Sequence, residues 1–470
     1  MRKIYSLIAL AVASSVVLSC AKDIESQNAA ADGDVFEFTA SFASVKAGLN
    51  AGKTEWKSGD KISVNGVEFT AQSSGLTSSF KGTVPAGTEF KAPFKAVYPA
   101  SAGKDISNVR VPAVQTAVEG SFDPAACVAV AESSSTTLAF RNVTSLVKFT
   151  VSAGVGSVTL SSNGNATPLA GDVSANGSDG SFSGTPSEYS VTVKCSAGFK
   201  AGVEYFMAVL PGEHSGGFTM SVDNFEVKSV SKSLSITKST IVNAGKLPEV
   251  LKFVPRHWVS EDNPWYAAYF FGDGSLNAWR RLEDKDKDGI YGCGIPEGKF
   301  THVIFCRMNP AFNDLAWDDS EHDRVFNQSQ NMPLENRKEY AVMPLFEAYS
   351  HCGWSSVPDF AEPGMIYLLP NANWNDIPKE HAGKKPTFAA TFWDPSVWSF
   401  MTDEDGDGIY QCEKKTASTG IILARMIPGT TTLNWDNKWN QTADLPVSGW
   451  NFCVIPENQW DRVQNTYYIK

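Results

Sequence analysis

Short runs of alternating hydrophobic and polar residues dominate the first half of the chain. Val35–Thr39 and Leu146–Val151 are two examples, and a period of two is typical of strands with one face in a core. Gly, Ser, Asn and Pro break these runs about every ten residues, as in β-sandwiches. Residues 34–250 are therefore predicted to be β-rich, with a long loop over the Gly- and Ser-rich stretch Ser161–Ser187.

A longer pattern, rich in aromatic residues, occurs twice in the second half. Each copy has an aromatic strand, a Trp, an acidic loop ending in Gly-Ile-Tyr, an Arg-Met pair, a further Trp and an Asn-Gln pair. The step from Trp279 to Tyr291 equals the step from Trp398 to Tyr410. Landmarks in register over so long a period predict two modules of one fold, not a solenoid of small repeats.

The length and composition bound the number and kind of domains. At about 150 residues per domain, 470 residues suggest roughly three domains or more. Aromatic residues are 11% and charged residues 19% of the chain, which favours globular modules over disorder. The net charge of -11 disfavours nucleic acid as a partner. The predicted division is a signal peptide (1–19), a tether (20–33), a β-rich region (34–250, split near 144), module 1 (251–357) and module 2 (358–470).

The first residues have the layout of a secretory signal. Arg2 and Lys3 precede an apolar run, Ile4–Val17, that is too short to span a membrane. The run ends in Val-Leu-Ser-Cys, which resembles the lipobox of bacterial lipoproteins. That resemblance implies cleavage before Cys20, acylation of its thiol and anchoring in the outer membrane; the alternative is an ordinary signal peptide with a coincidental Cys. The following Ala21–Glu25 resembles the surface-export tag of Bacteroides-type lipoproteins and implies exposure at the cell surface.

The β-rich region carries motifs of a known family. Thr54–Val64, Ala96–Pro99, Leu138–Asn142 and Tyr205–Gly212 together resemble the fimbrillin-like proteins of Bacteroides relatives. The resemblance implies an all-β fold of two consecutive transthyretin-like β-sandwiches, followed here by two small β-sandwich modules. It leaves the activity open, because the family includes fimbrial stalk and tip subunits as well as lipoproteins in which the domain is a spacer.

Alternation assigns the two faces of the first aromatic strand. Tyr266 and Phe270 share one face, and Tyr269 and Phe271 share the other. The second copy keeps Phe at the positions that match the first face, so that face is the predicted interior. Tyr269 and Phe271 then point outward, where large aromatic side chains indicate a flat ligand.

A sugar ring is such a ligand, because its C–H face stacks on an aromatic plane. The pattern resembles the starch-binding modules of carbohydrate-binding families 25 and 26, which have an aromatic-x-aromatic strand, a following Trp and a Gln-Thr-x-Asp-Leu ending. The resemblance implies binding of an α-glucan. Thr391 replaces one aromatic residue of the second site and weakens it, and Phe326–Asn331 replaces the module 1 ending. The residues that the resemblance assigns to sugar binding are Tyr269, Phe271 and Trp279 in module 1, and Trp393, Trp398 and Gln441 in module 2.

Two other interpretations of the aromatic residues stay open. The rings of Tyr291 and Tyr410 are expected to pack a small core, and the same is possible for the outer rings.

The chain is predicted to be a surface lipoprotein that holds α-glucan for neighbouring glycan-uptake proteins. The alternative is a fimbrial accessory, tip or adhesion protein whose repeats bind a protein partner.

Each module also contains an Asp-x-Asp-x-Asp-Gly loop. Three carboxylates at alternate positions resemble the start of a calcium loop. The position of the closing Glu is Ile295 in one copy and Lys414 in the other, so a solvated hairpin turn without a metal or cofactor is favoured. The six carboxylates are Asp284, Asp286, Asp288, Asp403, Asp405 and Asp407.

The remaining residues favour a non-catalytic protein. The sequence has no His-Glu-x-x-His, no Gly-x-Ser-x-Gly and no phosphate-binding loop. Seven cysteines follow Cys20, and none of their spacings suits zinc or a disulfide framework. They are expected to be buried thiols.

Overall fold

The computed structural model describes residues 33–42, 55–259, 262–343, 351–359, 364–457, 459–461 and 467–469. The signal segment, Cys20 and all of the predicted tether except Gly33 lie outside these residues. The regular secondary structure of the described part is almost wholly strand, so the all-β prediction is confirmed. Its helical segments are α1 (Ala372–Asn375) and the 3-10 turns Ala100–Ala102, Pro124–Ala126, Asn163–Asn165, Arg256–Trp258, Lys379–His381 and Trp435–Asn437.

The first unit is a closed barrel. Seven strands follow the order β1-β4-β3-β2-β5-β8-β9, and the parallel pairing of β9 with β1 closes the sheet. Trp56 is fully buried in this barrel and donates Nε1–H to the carbonyl oxygen of Ala40 at 2.9 Å. The strands up to residue 142 are β1 (Asp34–Phe42), β2 (Lys61–Val64), β3 (Val67–Ala71), β4 (Thr77–Val84), β5 (Phe94–Tyr98), β6 (Val109–Val111), β7 (Val114–Thr116), β8 (Ala129–Ser133) and β9 (Thr137–Asn142).

The second unit is a sandwich with several small sheets. Its strand orders are β15-β10-β20, β18-β17-β11-β14-β7, β13-β12-β6 and β16-β19. The expected loop over Ser161–Ser187 is wrong in part, because β12 lies within it and Val173 is buried in the core. The strands are β10 (Ser145–Thr150), β11 (Ser157–Ser162), β12 (Gly171–Ala175), β13 (Phe182–Ser183), β14 (Ser190–Lys194), β15 (Tyr205–Val209), β16 (Gly212–His214), β17 (Phe218–Val222), β18 (Phe225–Val230), β19 (Leu234–Ile236) and β20 (Ile241–Lys246).

Strands β6 and β7 join the second unit although they precede the end of the barrel in the chain. They pair with β12 and β14, and Val109 and Val111 are fully buried in the second core. Gln115 on β7 exchanges two hydrogen bonds with Ala208, accepting from its N–H at 2.9 Å and donating to its carbonyl at 2.7 Å. This buried amide fixes β7 in the second unit, because an unpaired amide would be costly there.

Module 1 consists of two facing sheets. Their orders are β24-β21-β28-β29 and β23-β22-β25-β26, with β27 also paired to β25. The strands are β21 (Val250–Val254), β22 (Trp265–Gly272), β23 (Asn277–Leu282), β24 (Tyr291–Gly294), β25 (Phe300–Met308), β26 (Val325–Gln328), β27 (Met332–Pro333), β28 (Tyr340–Val342) and β29 (Gly353–Ser355).

Module 2 has the same strand order as module 1. Its sheets are β33-β30-β37-β38 and β32-β31-β34-β35, with β36 also paired to β34. The parallel pairing of β30 with β37 repeats that of β21 with β28. The strands are β30 (Met365–Leu369), β31 (Thr387–Trp393), β32 (Val397–Met401), β33 (Tyr410–Glu413), β34 (Gly420–Met426), β35 (Lys438–Gln441), β36 (Leu445–Pro446), β37 (Phe452–Val454) and β38 (Tyr467–Ile469).

The predicted inner faces of the aromatic strands are the buried ones. Tyr266 and Phe270 are 2% and 0% exposed, and Phe388 and Phe392 are both 0% exposed. Tyr291 packs against the same core as Tyr266, with ring centroids 4.7 Å apart. Strand alternation therefore places these rings correctly, because one face of each strand must bury against the second sheet.

Neighbouring units along the chain contact each other closely. Gly294 on β24 lies so near the sandwich that a Cβ atom there would be 2.6 Å from the Cα atom of Val227. Modules 1 and 2 share a hydrophobic cluster that includes Val342, Tyr367 and Ile409. The loop that precedes β33 thus lies at the joint between the two modules.

Candidate functional site

The outer face of the β22 sheet carries the aromatic residues of module 1. Tyr269 lies opposite Trp279 on β23 and opposite Ile304 on β25, and directly opposed residues share one face of a sheet. Tyr269, Phe271 and Trp279 are all half-buried on this outer face. The structure therefore brings together the three module 1 aromatic residues that the sequence singled out.

Their rings form a continuous array with two further rings. The centroids of Tyr269 and Trp279 lie 4.9 Å apart, and Trp317 lies 5.0 Å from Tyr269 and 4.8 Å from Trp279. Phe271 stacks on Tyr269 at 6.0 Å, and His302 stacks on Phe271 at 5.3 Å. We call this set, Tyr269, Phe271, Trp279, His302 and Trp317, the module 1 array.

Trp317 belongs to the array although it lies in the loop after β25. Arg324 holds this loop: its Nε–H donates to Asp314 at 2.7 Å, and its Nη1 donates to Asp319 at 2.7 Å and to the Trp317 carbonyl at 3.2 Å. The hydrogen bond from Arg324 holds the pKa of the Asp319 carboxyl well below its ordinary value. Sequence reasoning used Trp317 only as a repeat landmark, and that repetition was the signal that could have identified it.

Module 2 has a smaller version of this array. The centroids of Trp398 and Trp435 lie 5.0 Å apart with ring planes 72° from parallel, and Trp435 is 52% exposed. Trp435 occupies the position of Trp317 in the repeat. Thr391 lies opposite Trp398, where module 1 has Tyr269, and it is 2% exposed. Module 2 thus has a small, buried side chain beside Trp398, where module 1 has an aromatic ring.

Trp393 lies at the end of β31 rather than in the Trp398 pair. Its ring covers Gly420 so closely that a Cβ atom there would lie 2.0 Å from the ring. Among the ring contacts of the described residues, Trp398 contacts Trp435 and not Trp393. The structure therefore does not bring Trp393 and Trp398 together as one pair of rings.

Gln441 lies on the outer face but at the far edge of the sheet from Trp398. It pairs with Ala424 on β34, while Trp398 is on β32. Three strand spacings of about 4.8 Å separate the two edges, or roughly 14 Å. Gln328 pairs with Cys306 in the equivalent place of module 1 and is exposed. The sequence alone left the role of Gln328 open, because Phe326–Asn331 replaces the Gln-Thr-x-Asp-Leu ending in module 1.

The aspartate loop of module 1 is the solvated turn that the sequence predicted. Asp284 accepts backbone N–H groups of Lys287 at 2.7 Å and Gly289 at 3.0 Å, and Asp286 and Asp288 are exposed. Asn224 of the preceding sandwich donates to Asp286 at 3.1 Å. The carboxylates here close a turn and reach water.

The aspartate loop of module 2 is buried, so the prediction of a solvated turn is wrong for this copy. Asp405 and Asp407 are each 6% exposed, because module 1 packs over the loop. Burial raises the pKa of Asp405 to about 6, against the opposing charge of Lys338. Burial, reinforced by the Asp405 charge, raises the pKa of Asp407 well above its ordinary value. The two loops have one motif and opposite environments.

The cysteines of the described residues are free thiols. Cys195 is half-buried, and Cys127, Cys293, Cys306, Cys352, Cys412 and Cys453 are buried. No helix of the described residues has both the length and the apolar character to cross a membrane.

In the comparisons with known proteins, the chain is similar to solved structures only. No family model matches the sequence, and no curated protein matches it. A candidate cell adhesion protein from Bacteroides uniformis is 14% identical over 45% of this chain and 92% of its own, with a TM-score of 0.28. A candidate cell adhesion protein from Bacteroides ovatus is 13% identical over 56% of this chain and 99% of its own (TM-score 0.27), and a fimbrial protein from the same species is 13% identical over 58% and 56% (TM-score 0.20). These TM-scores are too low for the superpositions to define a fold family for the chain.

Proposed function

We propose that this chain is a non-catalytic surface-binding protein whose C-terminal modules hold the ligand on their outer sheet faces. The observation that carries the proposal is the module 1 array, in which Tyr269, Trp279 and Trp317 contact one another and remain half-buried. Trp398 and Trp435 repeat the Trp pair in module 2. Aromatic rings on an outer face are expected to have a partner that covers them, because water solvates such surfaces poorly.

Polysaccharide is the ligand that this geometry favours. Within each module the two Trp rings meet edge to face, with planes 60° apart in module 1 and 72° apart in module 2, and a sugar ring can stack on an aromatic face. Gln328 and Gln441 lie on the same outer faces and can hydrogen-bond to sugar hydroxyl groups. Together with the resemblance to families 25 and 26, these features support an α-glucan.

The proposed location is the outer surface of the outer membrane. Acyl chains on Cys20 would be the anchor, and residues 20–33 the tether. Both parts lie outside the described residues, so this part of the proposal rests on the sequence. Neighbouring glycan-uptake proteins are then the partners that would receive the bound glycan.

A fimbrial accessory or adhesion protein that binds a protein partner is the second candidate. The similar solved structures are named as cell adhesion and fimbrial proteins. These names agree better with this function than with polysaccharide binding. The partly covered rings also favour it in one respect: Phe271 stacks on both Tyr269 and His302, and Trp393 lies on Gly420. A protein surface can contact ring edges and sides that a sugar does not use.

A glycan array separates the two candidates. The chain from residue 21 onward would be tested beside the Trp279→Ala, Trp398→Ala double variant. Trp460→Ala is the matched control, since Trp460 is 48% exposed and packs on Arg425 away from the arrays. If the unchanged chain and the Trp460→Ala control bind α-glucans and the double variant does not, the result supports polysaccharide binding. Silence on every glycan, with a protein partner captured by the unchanged chain and not by the double variant, supports the adhesion function.

A further inference from the structure

The aspartate loop of module 2 is fixed against module 1 by direct hydrogen bonds. The backbone N–H of Trp354 donates to Asp407 Oδ2 at 3.0 Å, and Gln330 Nε2 donates to the Asp407 carbonyl at 3.2 Å. A Cβ atom on Gly406 would lie 3.2 Å from the ring of Pro333. Residues from two segments of module 1, Gln330–Pro333 and Trp354, thus contact this loop.

Three carboxylates meet inside this enclosure. Asp403, Asp405 and Asp407 each offer an oxygen within 4.8 Å of the other two, and Asp405 and Asp407 are each 6% exposed. Like charges so close together and out of water repel strongly. Lys338 is the cation whose charge acts on Asp405, and burial disfavours the ionised forms of both Asp405 and Asp407.

Unsatisfied oxygens in the enclosure provide independent support for a ligand. Asp403 Oδ1 is buried and has no hydrogen-bond partner among the described residues. Asp405 is 6% exposed, and its carboxylate meets that of Asp403 and the backbone N–H of its own residue. Buried carboxylate oxygens without donors are rare unless something positive binds them.

We propose that a divalent cation, Ca²⁺, binds among Asp403, Asp405 and Asp407 and locks module 2 onto module 1. Calcium takes six to eight oxygen ligands in flexible geometry, and these three carboxylates supply oxygens within 4.8 Å of one another. Its double positive charge would stabilise these clustered carboxylates in their ionised forms. The closing Glu of a helical calcium loop is absent here, and module 1 supplies the enclosure instead.

The module 1 loop provides an internal comparison. It has the same Asp-x-Asp-x-Asp-Gly motif and a carboxylate cluster of the same dimensions. However, Asp286 and Asp288 are exposed, and Asp286 accepts a hydrogen bond from Asn224. Water and this amide already satisfy the carboxylates, so this loop has no requirement for a cation.

The cation would set the orientation of the two arrays. One long polymer contacts both modules only if their outer faces are held at a suitable angle. This consequence for ligand binding rests on the proposed function, whereas the cation site itself does not.

Calorimetric titration of Ca²⁺ into the metal-free chain from residue 21 onward tests the site. We expect one site per chain, with affinity lowered at least about tenfold by Asp405→Asn, which removes one charged ligand. Asp286→Asn is the matched control and should leave the affinity unchanged. No binding of Ca²⁺, binding that survives Asp405→Asn, or equal loss in the two variants would overturn the proposal.

Terbium luminescence gives a second readout that does not depend on glycan binding. Tb³⁺ replaces Ca²⁺ in oxygen sites and emits when a nearby Trp transfers energy to it. Trp354 is such a neighbour, because its backbone N–H donates a hydrogen bond to Asp407. Excitation of Trp should produce terbium emission that Ca²⁺ displaces and that Trp354→Phe reduces several-fold. Emission unchanged in Trp354→Phe would place the ion elsewhere. The circular dichroism spectrum of each variant shows whether it is folded.

Discussion

Trp279 and Trp317 lie with ring centroids 4.8 Å apart and planes 60° from parallel, although one is on β23 and the other is in the loop after β25. Trp398 and Trp435 repeat this relationship at 5.0 Å and 72°. A strand residue and a loop residue thus meet in the same way in both modules. The remaining rings differ between the modules, because Thr391 occupies the position of Tyr269 and has no ring.

The first prediction concerns the contribution of each array to glycan binding. Trp279→Ala should remove most of the binding by module 1, and Trp398→Ala most of the binding by module 2. The module 1 change should cost more, because Thr391 supplies no ring. Each stacked ring contributes about 0.5–1.5 kcal/mol beyond its buried area, so a single module should bind weakly.

A long α-glucan should bind the unchanged chain about 10²-fold more tightly than either single variant, because the second contact is intramolecular. Isothermal titration with long and short α-glucans checks this difference. A double variant that stays folded and still binds the polymer would show that these rings are not the binding surface.

The second prediction concerns Arg324, which positions Trp317. Arg324→Gln should weaken glycan binding by module 1 about tenfold, because the loop loses its bonds to Asp314 and Asp319. Arg110→Gln is the control, since Arg110 forms an exposed ion pair with Asp172 in the second unit. Lys at position 324 should restore part of the affinity, and equal effects of the Arg110 and Arg324 changes would contradict a positioning role.

The third prediction concerns the two outer-face glutamines. Gln441→Ala and Gln328→Ala should each weaken glycan binding about two- to tenfold, since a hydrogen bond contributes roughly 0.5–1.5 kcal/mol. Gln72→Ala in the barrel, where the side chain bonds the Thr70 carbonyl, should have no effect. Titration with a fixed oligosaccharide measures all three, and unchanged binding in both outer-face variants would assign the sugar contacts to rings alone.

The fourth prediction concerns the pH dependence of stability. His214 is fully buried, with Ser162 Oγ 3.1 Å from Nδ1 and no described partner for Nε2. Burial lowers the pKa of His214 below its ordinary 6.5, and the neighbouring Glu213 opposes this shift. Because the unfolded chain binds the proton more readily, stability is complete above pH 6.5 and decreases as the pH falls from 6.5 toward the folded pKa.

Denaturant unfolding of the whole chain at pH 7.5 and pH 5.5 measures this loss. His214→Gln should have a smaller loss of stability over the same pH interval, because the amide binds no proton. His351 in module 1 also has a pKa lowered by burial, so the difference between the two chains isolates His214. An identical pH dependence in both would remove His214 as the cause.

The fifth prediction concerns the anchor. Cys20→Ala should release the protein from the membrane fraction, since the acyl chains would be its only attachment. Fractionation of expressing cells measures this, with Cys127→Ala as the control because Cys127 is buried in the fold. Full retention of the Cys20 variant would contradict the lipoprotein assignment.

The sequence by itself determined the strand faces and the repeated module. Tyr266 and Phe270 had to be inside and Tyr269 outside, because side chains alternate strictly along a strand and only one face packs on the second sheet. The repeat likewise required one topology in both copies, since equivalent side chains pack the two cores. Such features depend on neighbours in the chain or on a periodic pattern, which the sequence contains.

Tertiary structure alone decided which distant parts of the chain surround each side chain. The alternation in β6 and β7 does not show that these strands pack in the second unit, because the choice of core depends on long-range pairing. The same loop motif is exposed at Asp286 and buried at Asp405. The motif fixes the turn through local hydrogen bonds, but the unit that packs against it determines whether water reaches its carboxylates.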